Sequence, residues 1–342
     1  MKSLAKWCAA GIVVLLILYF LGPVPPNPTI DTSLPKTQTD LGLLEQEVNQ
    51  LERQTVGLKK DNQARIVWAD SLLKHRTRFC VVYLHGFSGS QADGYPIHME
   101  FAKRYGCNLY LSRLYGHGID KEDALKDLTP ENYLKSACRA VSIGKTLGEK
   151  VIIMATSTGA TLALLIASEH PEIAGLVLYS PNIDFRDKAS SVLVKPWGLF
   201  IARCFQGGYN IESADPENVR AYWQSKYRIE ALVTTKSLLS STMNEATFTK
   251  IHQSVFVGYY YKNEEEQDTR VSVSRILEMF DQLSTPSESR RKVAFPNASA
   301  HPIACSIVSK DVESVRFQTF AFAEEVLNLV PIDSLSRRYS SR

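Results

Sequence analysis

Hydrophobic positions along this chain follow two rhythms that take turns. Short strand-like runs, several of them apolar nearly throughout, occur at "ARIVWA" (64–69), "FCVVYLH" (79–85), "CNLYLS" (107–112), "VIIMA" (151–155), "IAGLVLY" (173–179), "SVFVGYYY" (254–261) and "RKVAFP" (291–296). Runs of this length and β-branched content predict strands buried on both faces. Between them, over 95–105, 130–147, 158–169, 271–282 and 311–329, apolar residues recur at helical spacing. Strands alternating with helices predict an α/β fold: a mainly parallel, doubly wound sheet with helices on both sides.

The alternation fails between 183 and about 250. There helical spacing recurs without a clear strand, and aromatics are frequent: Trp197, Phe200, Phe205, Tyr209, Tyr222, Trp223 and Tyr227. Helices inserted between two strands of such a sheet predict a helical cap over 183–250, above the carboxyl strand ends where these sheets bind ligands. Upstream, Asp40 is placed to cap a short helix whose Leu41, Leu44, Val48 and Leu51 form one stripe, expected to pack on the main domain. Residues 23–38, "PVPPNPTIDTSLPKTQ", are proline-rich and polar, which predicts an extended spacer.

The first residues are unlike the rest. Lys2 and Lys6 precede the uncharged run "WCAAGIVVLLILYFLG" (7–22), which as a helix extends roughly 24 Å against a hydrocarbon core of ~30 Å. A cleaved signal peptide needs small residues at its end, whereas this run closes on "YFLGPVPP". A lipoprotein cysteine follows the apolar run, whereas Cys8 opens this one. The expectation is therefore a signal-anchor transmembrane helix within 1–22, with cleavage or a buried core helix as the competing readings. The lysines place the N-terminus in the cytoplasm and everything after residue 22 outside it. The expected segments are the tip and anchor (1–22), linker and packing helix (23–62), the core in two parts (63–182 and 251–332), the cap (183–250) and a basic tail (333–342).

Composition narrows the function classes. A net charge of +3 over 342 residues leaves no electrostatic footprint for nucleic acid, and no basic stripe with interleaved aromatics occurs. Beyond the anchor, five cysteines remain (Cys80, Cys107, Cys138, Cys204 and Cys305). An odd number cannot all pair within the chain, and no spacing suggests zinc. No metal or cofactor is implied.

Candidate chemistry sits in "VIIMATSTGATLALLIA" (151–167), where a buried strand breaks on small residues and becomes a helix. Ser157 stands at that corner. A sharp strand-to-helix turn crowds the backbone, so it needs small neighbours, and it exposes the serine hydroxyl at the top of the sheet. The natural pair of peptide donors for a developing oxyanion is Thr158 and Phe87, the latter in "VVYLHGFSGS" (81–90). His85 in the same loop is expected to brace it. A general base must be a histidine, and His301 in "FPNASAHPIA" lies just past the last strand, with His117 in "RLYGHGID" as its rival. The orienting carboxylate should follow the penultimate strand, where "KNEEEQDTRVSV" offers Glu264, Glu265, Glu266 and Asp268. Asp268 is preferred because it stands directly before "TRVSV".

With these residues in place the chain resembles the α/β-hydrolase family, in particular capped carboxylesterases and monoacylglycerol-lipase-like enzymes. The matching features are "LHGFSGS", "RLYGHG", "ATSTG", "DTRVSV" and "NASAHPIA…SKDVESV", spread over roughly residues 63 to 330. The order Ser157, Asp268, His301 is that family's order of nucleophile, acid and base. Ala155 departs from the family pattern by replacing its first elbow glycine, and the acid loop is longer than usual. The resemblance implies a serine hydrolase acting on small-molecule carboxylic esters; the N-terminal run adds the expectation that it is membrane-anchored, and the cap aromatics that its substrates include apolar acyl chains. The alternatives are a non-catalytic binding protein on the same fold, or acyl-transfer, thioester or peptide chemistry with the same machinery.

Overall fold

Each of the seven apolar runs forms a strand of one sheet in the computed structural model, which describes residues 2–212 and 215–332 and, in the first helix, side chains from Ala5 onward. The tail expected at 333–342 lies outside the described residues. In chain order the strands are β1 (Arg65–Val67), β2 (Thr77–Leu84), β3 (Asn108–Leu111), β4 (Gly148–Thr156) and β5 (Gly175–Tyr179). An insertion follows that carries β6 (Tyr209–Ile211) and β7 (Lys226–Arg228), and then come β8 (Ser254–Tyr259) and β9 (Arg290–Ala294). The main sheet has the order β1-β3-β2-β4-β5-β8-β9. All its neighbours are parallel except β1, which runs antiparallel along β3.

The helices are α1 (Lys2–Phe20), α2 (Leu41–Arg53), α3 (Ile97–Tyr105), α4 (Pro130–Leu147), α5 (Thr158–Glu169), α6 (Gly198–Gln206), α7 (Glu217–Arg220), α8 (Glu230–Thr242), α9 (Glu245–Phe248), α10 (Val273–Gln282) and α11 (Val312–Glu325). Successive residues of the central strands face opposite sides of the sheet. Val82, Leu84, Ile153, Ala155 and Leu178 join the core under α4, α5, α8 and α10. Val81, Tyr83, Ile152, Met154 and Tyr179 join the core under α3 and α11. Burial on both faces is why these strands read as unbroken apolar runs. Capping chemistry sets the helix ends: Asp40 accepts the N–H of Leu43 at 2.8 Å, and Thr129 with Asn132 forms a reciprocal capping box at α4.

Three expectations change. First, the insertion is not purely helical, because β6 and β7 pair antiparallel, Asn210 opposite Tyr227. Three-residue strands are too short to show a period of two. Second, the expected cap at 183–250 is shorter in space than in sequence, for Ala231, Leu238 and Leu239 of α8 lie in the main core. Third, residues 23–38 do not stand the domain off as a spacer. They lie along it: Thr29 N–H donates to Glu131 at 2.9 Å, Thr37 and Thr146 share a hydroxyl hydrogen bond at 2.8 Å, and the Thr32 carbonyl meets His170 Nε2 at 2.9 Å.

Among the described residues no helix is long and apolar enough to cross a membrane. Those of α1 with described side chains, 5–20, are all exposed.

Candidate active site

Strand β4 is buried to its last residue, and the chain then turns through Ser157 with φ 55° and ψ −122°. A non-glycine residue held in that region costs of order 1–3 kcal/mol, so the surroundings must enforce it. They do so by hydrogen bonds: Ser157 N–H donates to the Tyr179 carbonyl at 2.9 Å, while its own carbonyl accepts from Ala160 at 2.9 Å and Asn182 at 3.1 Å. The small neighbours have a steric reason. A Cβ on Gly159 would fall 2.1 Å from the Leu84 carbonyl oxygen and 2.6 Å from that of His85. Without a side chain there, α5 can start directly against the end of β2. The methyl of Ala155, in contrast, is accommodated in the core.

Ser157, Thr158, Phe87 and His301 line one cavity of about 940 Å³. The N–H groups of Phe87 and Thr158 donate to no described residue, and neither does the Ser157 hydroxyl. Two unengaged peptide donors and a free hydroxyl therefore open on the same space.

Around the Phe87 loop the histidines are structural. His85 Nε2 accepts the Leu114 N–H at 3.0 Å, so its proton sits on Nδ1, which donates to the Gly86 carbonyl at 2.9 Å. Burial, with His117 close by, pushes its pKa well below the usual histidine value. His117 Nδ1 bonds the Tyr115 carbonyl at 2.8 Å, its ring stacks on Tyr133, and burial lowers its pKa to about 4. It is not among the side chains lining the cavity.

His301 is held differently. Its Nδ1 meets Asp268 Oδ2 at 2.7 Å, and Asp268 is 0% exposed. The other carboxylate oxygen accepts the N–H of Arg270 at 2.8 Å and of Val271 at 3.1 Å. Burial acts to raise the Asp268 pKa, but the attraction of His301 and these three hydrogen bonds outweigh it, leaving the carboxyl below its ordinary range. The competing acids point elsewhere. Glu264, Glu265 and Glu266 are exposed, Glu264 bonding Tyr261 at 3.0 Å and Glu266 pairing with Lys262 at 2.5 Å. Tyr261 and Gln267 form an antiparallel bridge, so the extra loop length closes on itself and returns Asp268 to the strand end.

Three polar residues near the corner carried no signal in the sequence. Asp93 accepts the Gly86 N–H at 2.7 Å and the hydroxyl of Tyr83. Tyr83 in turn bonds Thr156 at 2.8 Å. Asn182 Nδ2 donates to the Thr158 hydroxyl at 3.1 Å. Away from the corner the cavity is walled by Phe185, Leu193, Ile201, Phe205, Trp223 and Tyr227. Among the described residues no group of three or more His, Cys, Asp or Glu is placed to hold a metal ion.

Comparison with known proteins bears on the fold and the family. A thermostable monoacylglycerol lipase of Bacillus sp. (strain H-257) is 31% identical over 104 residues, 30% of this chain and 41% of that protein. The chain thus spans well under half the length of the curated relative it matches. Among solved structures, a metagenome-derived lipolytic enzyme superposes with a TM-score of 0.59 at 14% identity, over 78% of this chain and 98% of that one. A monoacylglycerol lipase of Paleococcus ferrophilus gives a TM-score of 0.55 at 16% identity, over the same two shares, 78% and 98%. Likenesses at this identity establish the fold. Residues 81–306, well over half of the chain, match the Alpha/beta hydrolase family, and the protein belongs to that family.

Proposed function

We propose that this protein is a serine hydrolase of the lipase and esterase kind, cleaving carboxylic esters through Ser157, His301 and Asp268. The observation that carries the reading is the buried Asp268–His301 pair at 2.7 Å, on the cavity that also holds a positive-φ serine and two unengaged peptide N–H groups. Ser157 Oγ attacks the ester carbonyl as His301 Nε2 takes its proton. Negative charge gathers on the carbonyl oxygen between the N–H groups of Phe87 and Thr158. Asp268 keeps the His301 proton on Nδ1 and stabilises the imidazolium. The imidazolium then protonates the departing alkoxide, and a water activated by His301 frees the acid from the acyl-enzyme.

The apolar walls suit an acyl chain. The names of the Bacillus and Paleococcus proteins, both monoacylglycerol lipases, point the same way. Turnover of p-nitrophenyl butyrate by the purified protein, reduced by several powers of ten in His301→Ala, tests the assignment. A His301→Ala enzyme as fast as its parent refutes it.

The same reading includes a membrane anchor, argued from the uncharged run 7–22 of the sequence, although no described helix is by itself long and apolar enough to cross a membrane. Helix α1 has 19 residues, roughly 28 Å of helix, and Ile12, Leu15, Ile17 and Phe20 are 53–73% exposed. Exposed apolar surface of that extent fits a bilayer better than water. The helix ends beside the cap, where Trp197 Nε1 donates to the Leu18 carbonyl and Trp197 N–H to that of Pro23, both at 3.0 Å. Ile201 and Phe205 of the adjoining α6 line the cavity, which would set its mouth near the membrane surface. Lys2 and Lys6 keep the N-terminus cytoplasmic and the catalytic domain on the far side.

A further inference from the structure

Asp93 is a buried carboxyl outside the triad, and neither packing nor the ester-cleaving steps account for it. It is 1% exposed and forms no ion pair among the described residues. Its two oxygens are nevertheless both engaged. Oδ2 accepts the N–H of Gly86, the residue before the oxyanion donor Phe87, at 2.7 Å. Oδ1 accepts from Tyr83, whose hydroxyl oxygen is also 2.8 Å from Thr156 Oγ1, on the residue before Ser157. One carboxyl thus joins the loop that carries one oxyanion donor to the strand end that carries the nucleophile. The fit leaves little slack: a Cβ on Gly86 would lie 3.0 Å from Ser157 Cβ and 3.2 Å from Asp93 Oδ2.

We propose that Asp93 is a positioning residue for catalysis: ionised, it holds the Gly86–Phe87 peptide so that the Phe87 N–H stays aimed at the oxyanion, and protonated, it loosens that hold. The inference rests on the serine-hydrolase reading above. A carboxylate accepts an N–H about twice as strongly as a neutral acceptor does, so its charge state sets how firmly the loop is fixed. Burial raises the Asp93 pKa to about 7, against the pull of Tyr83, the Gly86 N–H and His301. The titratable groups facing it are Tyr83 on β2, Tyr133 on α4, and His301 and Cys305 on the loop before α11. His98 on α3 packs on the Tyr83 ring, its pKa lowered by burial to about 4, so it brings no positive charge near pH 7. Against burial, the negative charge of Asp93 has its hydrogen bonds and the neighbouring His301 to stabilise it. That is why it titrates where activity is measured.

The test compares Asp93→Ala, Asp93→Asn and the parent enzyme on p-nitrophenyl butyrate from pH 5 to pH 9. Losing the hold on one oxyanion donor should lower kcat of Asp93→Ala by about 10²-fold with KM within about twofold, in line with removal of such a donor. Asp93→Asn keeps the shape and an acceptor oxygen, so its loss should be smaller, about tenfold. Its profile should also lack a step around pH 7 that the parent shows on top of the histidine ionisation. If Asp93→Ala does not fold, the pH profile of Asp93→Asn decides alone. A parental kcat in Asp93→Ala, or the same step near pH 7 in Asp93→Asn, overturns the proposal. Either result with His301→Ala inactive removes only this inference. An active His301→Ala removes the triad reading beneath it.

Discussion

Replacing Asp268 by asparagine is a perturbation whose outcome the structure fixes in detail. Asp268 Oδ1 is already committed to two backbone donors, Arg270 at 2.8 Å and Val271 at 3.1 Å. In Asp268→Asn the amide oxygen must take that place, because an NH2 group there would face two N–H donors in a site with no water access. The NH2 group is then left 2.7 Å from His301 Nδ1, where the carboxylate oxygen was. Two donors cannot face each other, so the imidazole proton moves to Nε2, the nitrogen that has to take the proton of Ser157. The base is present but in the wrong tautomer. A change of this kind in a serine triad lowers kcat by about 10⁴, roughly 5 kcal/mol of transition-state stabilisation. The assay is steady-state hydrolysis of p-nitrophenyl butyrate, with circular dichroism to establish that the variant is folded. Glu264→Gln, which alters an exposed loop contact, should stay within about twofold of the parent. An Asp268→Asn enzyme retaining a tenth of the activity, with Glu264→Gln impaired, would place the acid on Glu264 and refute the argument.

Three further outcomes follow from other parts of the molecule. Each methylene buried in the cavity adds up to about 0.8 kcal/mol, so kcat/KM should rise by up to two powers of ten from butyryl to octanoyl p-nitrophenyl esters in protein lacking α1. A profile that peaks at acetate and falls with every added carbon contradicts an acyl-chain pocket. The Asp93 carboxyl, raised from its ordinary 3.8 to about 7, stabilises the fold fully below the lower value and loses that contribution as pH climbs through the higher. The difference corresponds to roughly 4 kcal/mol, so Asp93→Asn should melt at a higher temperature than the parent at pH 8.5, and the advantage should shrink by pH 5. An advantage that is independent of pH argues against a titrating Asp93. Finally, the full-length protein should sediment with membranes and resist extraction by high salt, and deletion of residues 1–22 should release it. Recovery of the intact protein in the soluble fraction contradicts the anchor.

Much of the fold was legible because the central sheet is buried on both sides. Strands such as β5, buried at all five positions, leave no polar residue to blur the pattern, and the helices between them begin on strong caps such as Thr129. The cap hairpin was not legible, since β6 (YNI) and β7 (KYR) lack an apolar run like the one around the equally short β1 and owe their pairing to tertiary context. The course of residues 23–38 was missed for a related reason. Its anchors are single polar contacts to residues about a hundred positions or more away, Thr29 to Glu131 among them, and no local spacing encodes them. At the site, Ser157 and His301 stood out because their surroundings in the chain are unusual. Asp268 was favoured over its acidic neighbours by its place before the next helix, and the closed Tyr261–Gln267 loop gives the physical reason for that placement. Asp93 gave no such sign. Its role depends on Tyr83, Gly86 and Thr156, which only the fold brings to it.

The central claim is that Ser157 is an activated nucleophile, and its reactivity can be measured without knowing the substrate. Incubating the folded, full-length protein with a fluorophosphonate probe and mapping the adduct by peptide mass spectrometry reads it directly. The expected result is stoichiometric modification of the peptide containing Ser157, slowed by several powers of ten in His301→Ala and absent in Ser157→Ala. A folded protein that takes up no probe, or a Ser157→Ala variant that labels as fast as its parent, would contradict the account.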